Sequence, residues 1–488
     1  MSEQQLNLLS FSGKIRTLHL TWFAFFISFM VWFSHAPLMG IIRETMHLSD
    51  QEVKLLLILN VALTIPARIV VGMLVDKLGP RVMFSVILIV GGIVAFGFAL
   101  AQDYQQLAIA RFLSGFVGAG FVVGIRMIGE WFPARQTGVA QGIYGGWGNF
   151  GSAGAAMLLP SIALYLGEEN GWRYAISITG LIAIVYGGIY FFSVSNTPKG
   201  STYFRPKKTG AMEVSSKGDL LLYILMNIPM YLALAILTWK LSGQMHMFHD
   251  NIAYLIYAGL TGLYAFQVWK IIQVNTEALN GTVAELQRYS FRQVAVLDLA
   301  YMVTFGTEIA MVSMLPLFYI DTFGVEPVMA GILAGIYPMI NLFARPAGGW
   351  FSDKIGRKVT LSIVTAGIAG SFLLLGQVTA DWNLWLVVCA TILGGIFSKA
   401  GSGAVYAIVP LIKRRMTGQI AGMTGAYGNV GGLIFLTVLS FVSSAAFFTF
   451  IACTAGLVFF AVIVLLEEPR GQTAEVLPDG TVQMIDVD

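Results

Sequence analysis

The stretch Arg135-Gln-Thr137-Gly138-Val-Ala-Gln-Gly142-Ile-Tyr-Gly145-Gly-Trp-Gly148-Asn149-Phe-Gly151 returns later in the chain as Arg415-Met-Thr417-Gly418-Gln-Ile-Ala-Gly422-Met-Thr-Gly425-Ala-Tyr-Gly428-Asn429-Val-Gly431. Eight of seventeen aligned positions are identical at an offset of 280 (429 − 149), where chance would give about one or two. A second block repeats in register: Ala67-Arg68 with Gly72, Asp76, Lys77 and Gly79 recurs as Ala344-Arg345 with Gly349, Asp353, Lys354 and Gly356, an offset of 277 (345 − 68). The chain is therefore two copies of one unit in tandem.

What kind of unit follows from composition. Of 488 residues 57% are hydrophobic and 11% charged, and the mean hydropathy is +0.75. Soluble domains carry about 25% charged residues, so this chain lacks the polar surface a water-soluble protein of its size needs. A net charge of +3, with no separate basic tail, argues against nucleic acid as a partner. Cys389 and Cys453 stand in apolar runs, which excludes a disulfide framework or a cysteine metal site. The five histidines show no metal-ligand spacing, and His35 reads as a satisfied polar residue of the first helix. With no metal site, no cofactor motif and no nucleophile-base constellation, the chain does not read as an enzyme.

Apolar runs near 17–42, 53–75, 82–101, 106–130, 138–166, 173–194, 219–240, 252–272, 292–321, 328–352, 358–379, 383–411, 417–443 and 445–466 each suffice for a membrane crossing. The first is too long for a signal-peptide core and lacks a small-residue cleavage site, so it is read as retained. The runs 219–240 and 252–272 are the least decided, since one could lie in the interface. Lys77, Arg81, Arg135, Lys199, Arg205, Lys207, Lys208, Lys217, Lys354, Arg357, Lys358, Lys413, Arg414 and Arg415 fall in one set of connections. The positive-inside rule makes these cytoplasmic, with both termini on that side of the inner membrane. Six crossings end near residue 194, so the repeat offset implies roughly 75 to 80 inserted residues, and equal orientation of the copies requires an even number of inserted crossings. The expected layout is all-α and 6+2+6: residues 1–194, an insertion 195–291, a second half 292–467, and a tail 468–488.

Arg68 and Arg345 are the strongest chemical signal. Each precedes the Asp of its repeat by eight residues, which puts it about 12 Å inside a hydrocarbon slab whose half-thickness is about 15 Å. An arginine there costs on the order of 2.5 to 3.5 kcal/mol. No acid lies within a helical turn of either, so an anionic ligand is the expected partner, against the alternative of an ion pair with a distant carboxylate. A guanidinium offers paired donors suited to a planar oxyanion. The glycine series at 142, 145, 148, 151 and 154, and at 418, 422, 425, 428 and 432, read as faces for close helix packing. Asn149 and Asn429, set in those faces, could donate to an anion or bridge helices.

The Gly72-x-x-x-Asp76-Lys77-x-Gly79-x-Arg81 pattern and its copy from Gly349 to Lys358 resemble the loop 2/3 signature of the major facilitator superfamily. The duplicated glycine-asparagine stretches resemble the signatures of its nitrate/nitrite porter (NarK-type) family. Trp22-Phe-Ala-Phe-Phe26 and Gly-Trp-Gly-Asn149 look closer to the branch holding the plant high-affinity nitrate transporters. The resemblance covers nearly the whole chain outside the insertion. It implies a major facilitator fold in which the arginines at these two positions clamp nitrate or nitrite, with aromatic rings at the positions of Tyr301, Phe305 and Phe121 beside the anion. It also implies that Asp76 and Asp353, with Gly72 and Gly349 of the same motif, act in gating, and gives Arg111 a structural role.

Glu308 lies midway along its run and Lys399 is also intramembrane, so a Glu308–Lys399 pair that breaks on protonation is the expected proton device, against the alternative of a permanent structural pair. Arg126 and Glu130, spaced i, i+4, read as a local pair or gate element. The expected function is nitrate import, with nitrite also accepted, by alternating access and proton symport. The partners are nitrate, nitrite, protons and the lipid bilayer, and the chain acts as a monomer. Nitrate/nitrite exchange without protons is the first alternative. A non-transporting anion sensor is the second, although the tail from Glu467 to Asp488 is short for a signalling domain.

Overall fold

The computed structural model describes residues 8–132, 134–167, 169–200, 210–244, 249–285, 288–413, 416–468, 472–476 and 482–486; the side chains at 61, 73, 76, 134–139, 244, 410, 417, 418 and in the tail strands lie outside that description. Among the described residues, fourteen helices are long and apolar enough to cross a membrane. They are α1 (Gly13–Phe33), α2 (Asp50–Gly72), α3 (Pro80–Ala99), α4 (Tyr104–Trp131), α5 (Ala140–Leu166), α6 (Gly171–Ser193), α7 (Lys217–Gly243), α8 (Asp250–Val274), α9 (Phe291–Phe323), α10 (Pro327–Ile355), α11 (Arg357–Leu375), α12 (Leu384–Val409), α13 (Gln419–Leu439) and α14 (Ser444–Leu465). The expected all-α bundle of about fourteen crossings is what the chain forms. The tail adds a small antiparallel pair, β1 (Gln472–Val476) and β2 (Val482–Asp486), with Gln472 opposite Asp486.

Helix packing repeats as the sequence does. α1 packs on α5 as α9 does on α13, and α3 on α6 as α11 does on α14; the two sets meet through α2 against α13 and α5 against α10. Glycine makes these contacts possible. A Cβ on Gly151 would stand 1.9 Å from the Phe26 carbonyl oxygen of α1, and one on Gly431 would stand 2.1 Å from that of Met302 on α9. Lipid tails supply no hydrophobic drive between helices, so such backbone approach is the main source of packing attraction.

Both arginine-bearing helices are interrupted. α2 breaks at Leu63 and α10 at Ile340, 277 apart (340 − 63), and each arginine follows its break by five residues. α4 tightens to a 3₁₀ segment over Gly115–Ala119 beside the first break, where Thr64 donates to the Gly115 carbonyl at 2.6 Å. Interruptions of this kind free backbone carbonyls, and in a membrane they persist where protein groups re-satisfy them.

The Asp-Lys-x-Gly turns also match. Gly79 and Gly356 hold φ of +88° and +105°, values that a side chain resists. The next helix starts at once, and its free N–H groups are capped from beyond the sixth helix of each set. Arg81 N donates to Asn196 Oδ1 at 2.9 Å, while Arg357 N and Lys358 N donate to the two oxygens of Glu468 at 2.7 Å each. At the opposite end of the bundle, Arg43 in the short Met39–Thr45 helix pairs with Asp321 of α9 at 3.1 Å, tying the two sets together.

Residues between α6 and α9 form the hairpin α7–α8. α7 lies on α9 and α13, where Tyr427 donates its hydroxyl to the Met226 carbonyl. α8 is almost entirely exposed and holds to α7 through Tyr231–Gln267 (2.5 Å) and Gln267–Asn227 (2.6 Å). The polar side chains thus glue the pair inside the membrane, and the rest of α8 is left to lipid.

Candidate anion-binding site

Arg68 and Arg345, 277 residues apart in sequence, converge. Their guanidinium carbons lie 5.3 and 5.4 Å from the Phe121 ring centre, and 5.2 and 5.9 Å from that of Phe305. Two cations thus share two aromatic faces, whose quadrupoles partly offset their repulsion. Both residues are shut from solvent, at 0% and 2% exposure, and among the described residues neither meets a carboxylate at ion-pair distance.

What holds them is mostly backbone. Arg68 Nε donates to the Gly118 carbonyl at 3.2 Å, in the 3₁₀ segment of α4, and Nη1 donates to the Gly425 carbonyl of α13 at 2.5 Å. Arg345 Nη2 donates to the Tyr301 hydroxyl at 3.0 Å. Arg68 Nη2 and Arg345 Nη1 are buried without a hydrogen-bond partner among the described residues. Each arginine also lies against a signature glycine of the other repeat. A Cβ on Gly145 would stand 3.0 Å from Arg345 Nε, and one on Gly425 would stand 3.1 Å from Arg68 Nη1. At these two positions glycine makes room for a guanidinium.

The aromatic lining predicted from the sequence is assembled. Tyr301 and Phe305 stack at 5.0 Å with 9° between planes. Tyr406 of α12, which sequence reading did not single out, stands edge-on to Tyr301 at 5.0 Å and to Phe121 at 5.3 Å, its hydroxyl donating to the Ala421 carbonyl. Tyr144 of α5 stacks beneath Phe121 at 6.1 Å. The asparagines divide. Asn429 Nδ2 donates to the same Gly425 carbonyl that holds Arg68, at 3.1 Å, whereas Asn149, one turn beyond Gly145, is fully buried with neither amide atom partnered.

Glu308 and Lys399 are both buried, but the expected ion pair between them is not made. Asn341, the first residue after the break in α10, donates to Glu308 Oε1 at 2.5 Å, and Lys399 Nζ rests 3.7 Å from the centre of the Tyr337 ring without a hydrogen-bond partner. An amide from a third helix takes the place that sequence spacing assigns to the ammonium. The other polar positions stand apart from the arginines. Arg126 and Glu130 form a 2.9 Å ion pair near the end of α4, and Asp353 stands 3.8 Å from Arg357. Gly72 faces Val122 and Gly349 faces the Gly403 carbonyl, with room in both cases for a Cβ. The Asp76 side chain lies outside the described residues. Asp298 of α9, also buried, was not anticipated: Thr424 donates to its Oδ1 at 2.7 Å and Oδ2 has no partner.

Chemically the site offers two fixed positive charges, two guanidinium nitrogens without partners among the described residues, and flat rings beside them. That set suits a small planar anion, since the donors lie where water is excluded.

The profile of the Major Facilitator Superfamily matches residues 21–277 and 297–482. The chain is 44% identical over 476 residues, 96% of its own length and 95% of the relative's, to the nitrate/nitrite transporter NrtP of Nostoc punctiforme. It is 26% identical, over 85% of the chain and 70% of the relative, to the high-affinity nitrate transporter 2.3 of Oryza sativa. Among solved structures, a peptide-bound POT family transporter superposes with a TM-score of 0.61 at 15% identity, covering 92% of this chain and 96% of that one. The chain belongs to the Major Facilitator Superfamily and, within it, to the family of the nitrate/nitrite transporters.

Proposed function

We propose that this protein imports nitrate, and accepts nitrite, by proton symport, with the anion held between Arg68 and Arg345. The observation that carries the proposal is the convergence of two buried guanidiniums, each with an unpartnered nitrogen, on the same pair of rings. Unneutralised, their repulsion opposes closure of the two repeats around the site, so an anion between them favours the closed state and ties rocking to occupancy. Asn149 donates to the same anion, and Tyr301, Phe305 and Phe121 hold its plane. Asn429 fixes the Gly425 carbonyl and so the stance of Arg68.

In this reading the chain is a monomer spanning the inner membrane with both termini in the cytoplasm, an orientation supported by the gathering of basic residues in one set of connections. Asp76, Asp353, the Arg126–Glu130 pair and the motif glycines Gly72 and Gly349 then sit at its cytoplasmic end and act in gating. Glu308 carries the transported proton. Its bond from Asn341 links it to the same helix as Arg345, and Lys399 answers the change in its charge from α12.

Labelled nitrate uptake into proteoliposomes under an imposed proton gradient tests this. Wild type accumulates nitrate above equilibrium, and variants of Arg68 or Arg345 do not. Glu308→Gln loses gradient-driven accumulation; accumulation equal to wild type in that variant would remove Glu308 from the mechanism. The missing Glu308–Lys399 contact favours one second reading, nitrate/nitrite exchange without protons. Counterflow that ignores a pH gradient in wild type would decide for exchange.

A further inference from the structure

Beyond Glu308, α9 carries a second acid in the membrane. Asp298 is at 0% exposure, among the described residues no cation comes within ion-pair distance, and Oδ2 has no hydrogen-bond partner. An ionised carboxylate in such a place is unpaired and unsolvated, and buried groups in that position take up a proton instead. Its one bond is the 2.7 Å contact from Thr424 Oγ1 on α13. The next residue on that helix, Gly425, gives its carbonyl to Arg68 at 2.5 Å and to Asn429 at 3.1 Å. Three residues along α9 from Asp298, one turn nearer the site, Tyr301 accepts from Arg345. Asp298 is thus one hydrogen bond and one peptide unit away from the group that holds the first arginine.

We propose that Asp298 is a proton-binding site of this transporter, coupled to the anion through Thr424 and the Gly425 carbonyl that positions Arg68. The inference rests on the proton-symport reading and adds a carboxyl on the Arg68 side to the one on the Arg345 side. In the closed state Asp298 is the neutral acid. Losing the proton places a negative charge beside Thr424, tightens that bond, and sets a fixed anion to compete with nitrate for the field of Arg68. Proton and nitrate therefore bind with positive coupling, each favouring the other by the same factor.

The route for release is set by position. Asp298 lies seven residues from the start of α9 at Phe291, about 10 Å along the helix, at the end of the bundle that carries the termini. The ionisable groups facing it are Tyr406 of α12, Tyr427 of α13 and Tyr223 of α7. The other helices packed on α9, namely α10, α11 and α14, bring it no charged group among the described residues, and the Met39–Thr45 helix meets α9 only at the far end, by Asp321.

The test is nitrate binding to the full-length protein in detergent, by titration with potassium nitrate across the neutral pH range. Wild-type affinity should weaken as pH rises, by up to about tenfold per pH unit where one proton enters with each anion. In Asp298→Asn the slope should flatten towards the acid limit of wild type. Thr424→Val, which leaves the acid but removes the link, should reduce the slope, and Asp298→Glu should restore it with a shifted midpoint; these two also decide the matter if the asparagine variant fails to fold. A wild-type slope in Asp298→Asn, with the pH dependence removed only by Glu308→Gln, overturns the proposal. Proton entry during nitrate uptake into wild-type proteoliposomes is measured alongside. Its absence refutes symport itself, while the binding slopes still decide whether Asp298 takes up the proton.

Discussion

Replacing Arg68 by lysine keeps a positive charge in the site and removes the fork, so it separates net charge from geometry. In the structure three nitrogens of Arg68 have distinct places: Nε on the Gly118 carbonyl, Nη1 on the Gly425 carbonyl, and Nη2 unpartnered beside the shared rings. One ammonium cannot reach carbonyls on α4 and α13 together and still serve an anion. If the lysine turns to the carbonyls, nitrate loses a charge-assisted bond, worth about 1.5 to 3 kcal/mol. If it turns to nitrate, the Gly118 carbonyl loses its side-chain donor and the Gly425 carbonyl keeps only that of Asn429, so the site loses the bonds that set its geometry. Either outcome weakens binding by about 10- to 150-fold, using 1.4 kcal/mol per factor of ten. Saturation curves for labelled nitrate uptake, beside binding titrations in detergent, read this directly, with thermal unfolding to check that the variant is folded. A folded Arg68→Lys whose nitrate affinity stays within threefold of wild type would falsify the idea that the guanidinium geometry matters here, and leave only its charge.

Glycine substitutions should split by geometry. Gly148→Ala puts a methyl 2.0 Å from Phe25 and should lose at least about 1 to 3 kcal/mol of stability, whereas Gly422→Ala, with open space around it, should unfold at the wild-type temperature; detergent thermal unfolding compares them. Asn149→Ala removes an amide with no protein partner, so nitrate affinity should fall by roughly two- to tenfold, the worth of one hydrogen bond of about 0.5 to 1.5 kcal/mol, with thermal stability unchanged; unchanged affinity assigns Asn149 no part in binding. Lys399→Met removes a buried ammonium that has no hydrogen-bond partner, and such replacements are often neutral or stabilising; a drop of more than a few degrees in unfolding temperature would show that its contact with the Tyr337 ring carries the fold. Arg43→Ala breaks the Arg43–Asp321 pair, half-exposed on the Asp321 side, and should cost no more than about 1 kcal/mol of closure, seen as a small rise in transport rate at low salt that fades at high salt.

The repeat made most of the architecture readable in advance. Duplicated motifs carry their geometry with them, so the two arginines and their turn glycines could be placed without coordinates, while the aromatic positions came from the family resemblance. Side-chain partners could not. Glu308 and Lys399 lie on packed helices, and nothing in their spacing tells that Asn341 follows a helix break and reaches Glu308 first. The break itself is faint in sequence, since Leu63 and Ile340 are ordinary helix formers and only Pro66 and Pro338 nearby hint at it. Asp298 escaped notice for a related reason. It stands in Val296-Leu-Asp298-Leu-Ala300, near enough to the run's start to pass for a loop-proximal charge, and its significance comes from Thr424, 126 residues away. Tyr406 likewise gains its role only when α12 is laid against α4 and α9.

The two arginines are alike in sequence and differ in what they hold. Arg345 of α10 is anchored on Tyr301 of α9, within its own repeat, so the bond survives when the repeats move as rigid bodies. Arg68 of α2 is anchored on Gly425 of α13, across the boundary, so relative motion of the repeats acts directly on that 2.5 Å bond. Its other bond, to Gly118, stays within the first repeat and keeps the side chain in place when the cross-boundary bond goes. Arg68 therefore registers the relative position of the repeats, and Arg345 serves as the fixed side of the clamp. An anion between them adds a bridge that both repeats share, so its departure and the loss of the Arg68–Gly425 bond reinforce each other in opening the site. Asn429 and Thr424 bond from that same short segment of α13, so in the proposed mechanism the Gly425 carbonyl is the point where substrate, proton and domain motion would meet.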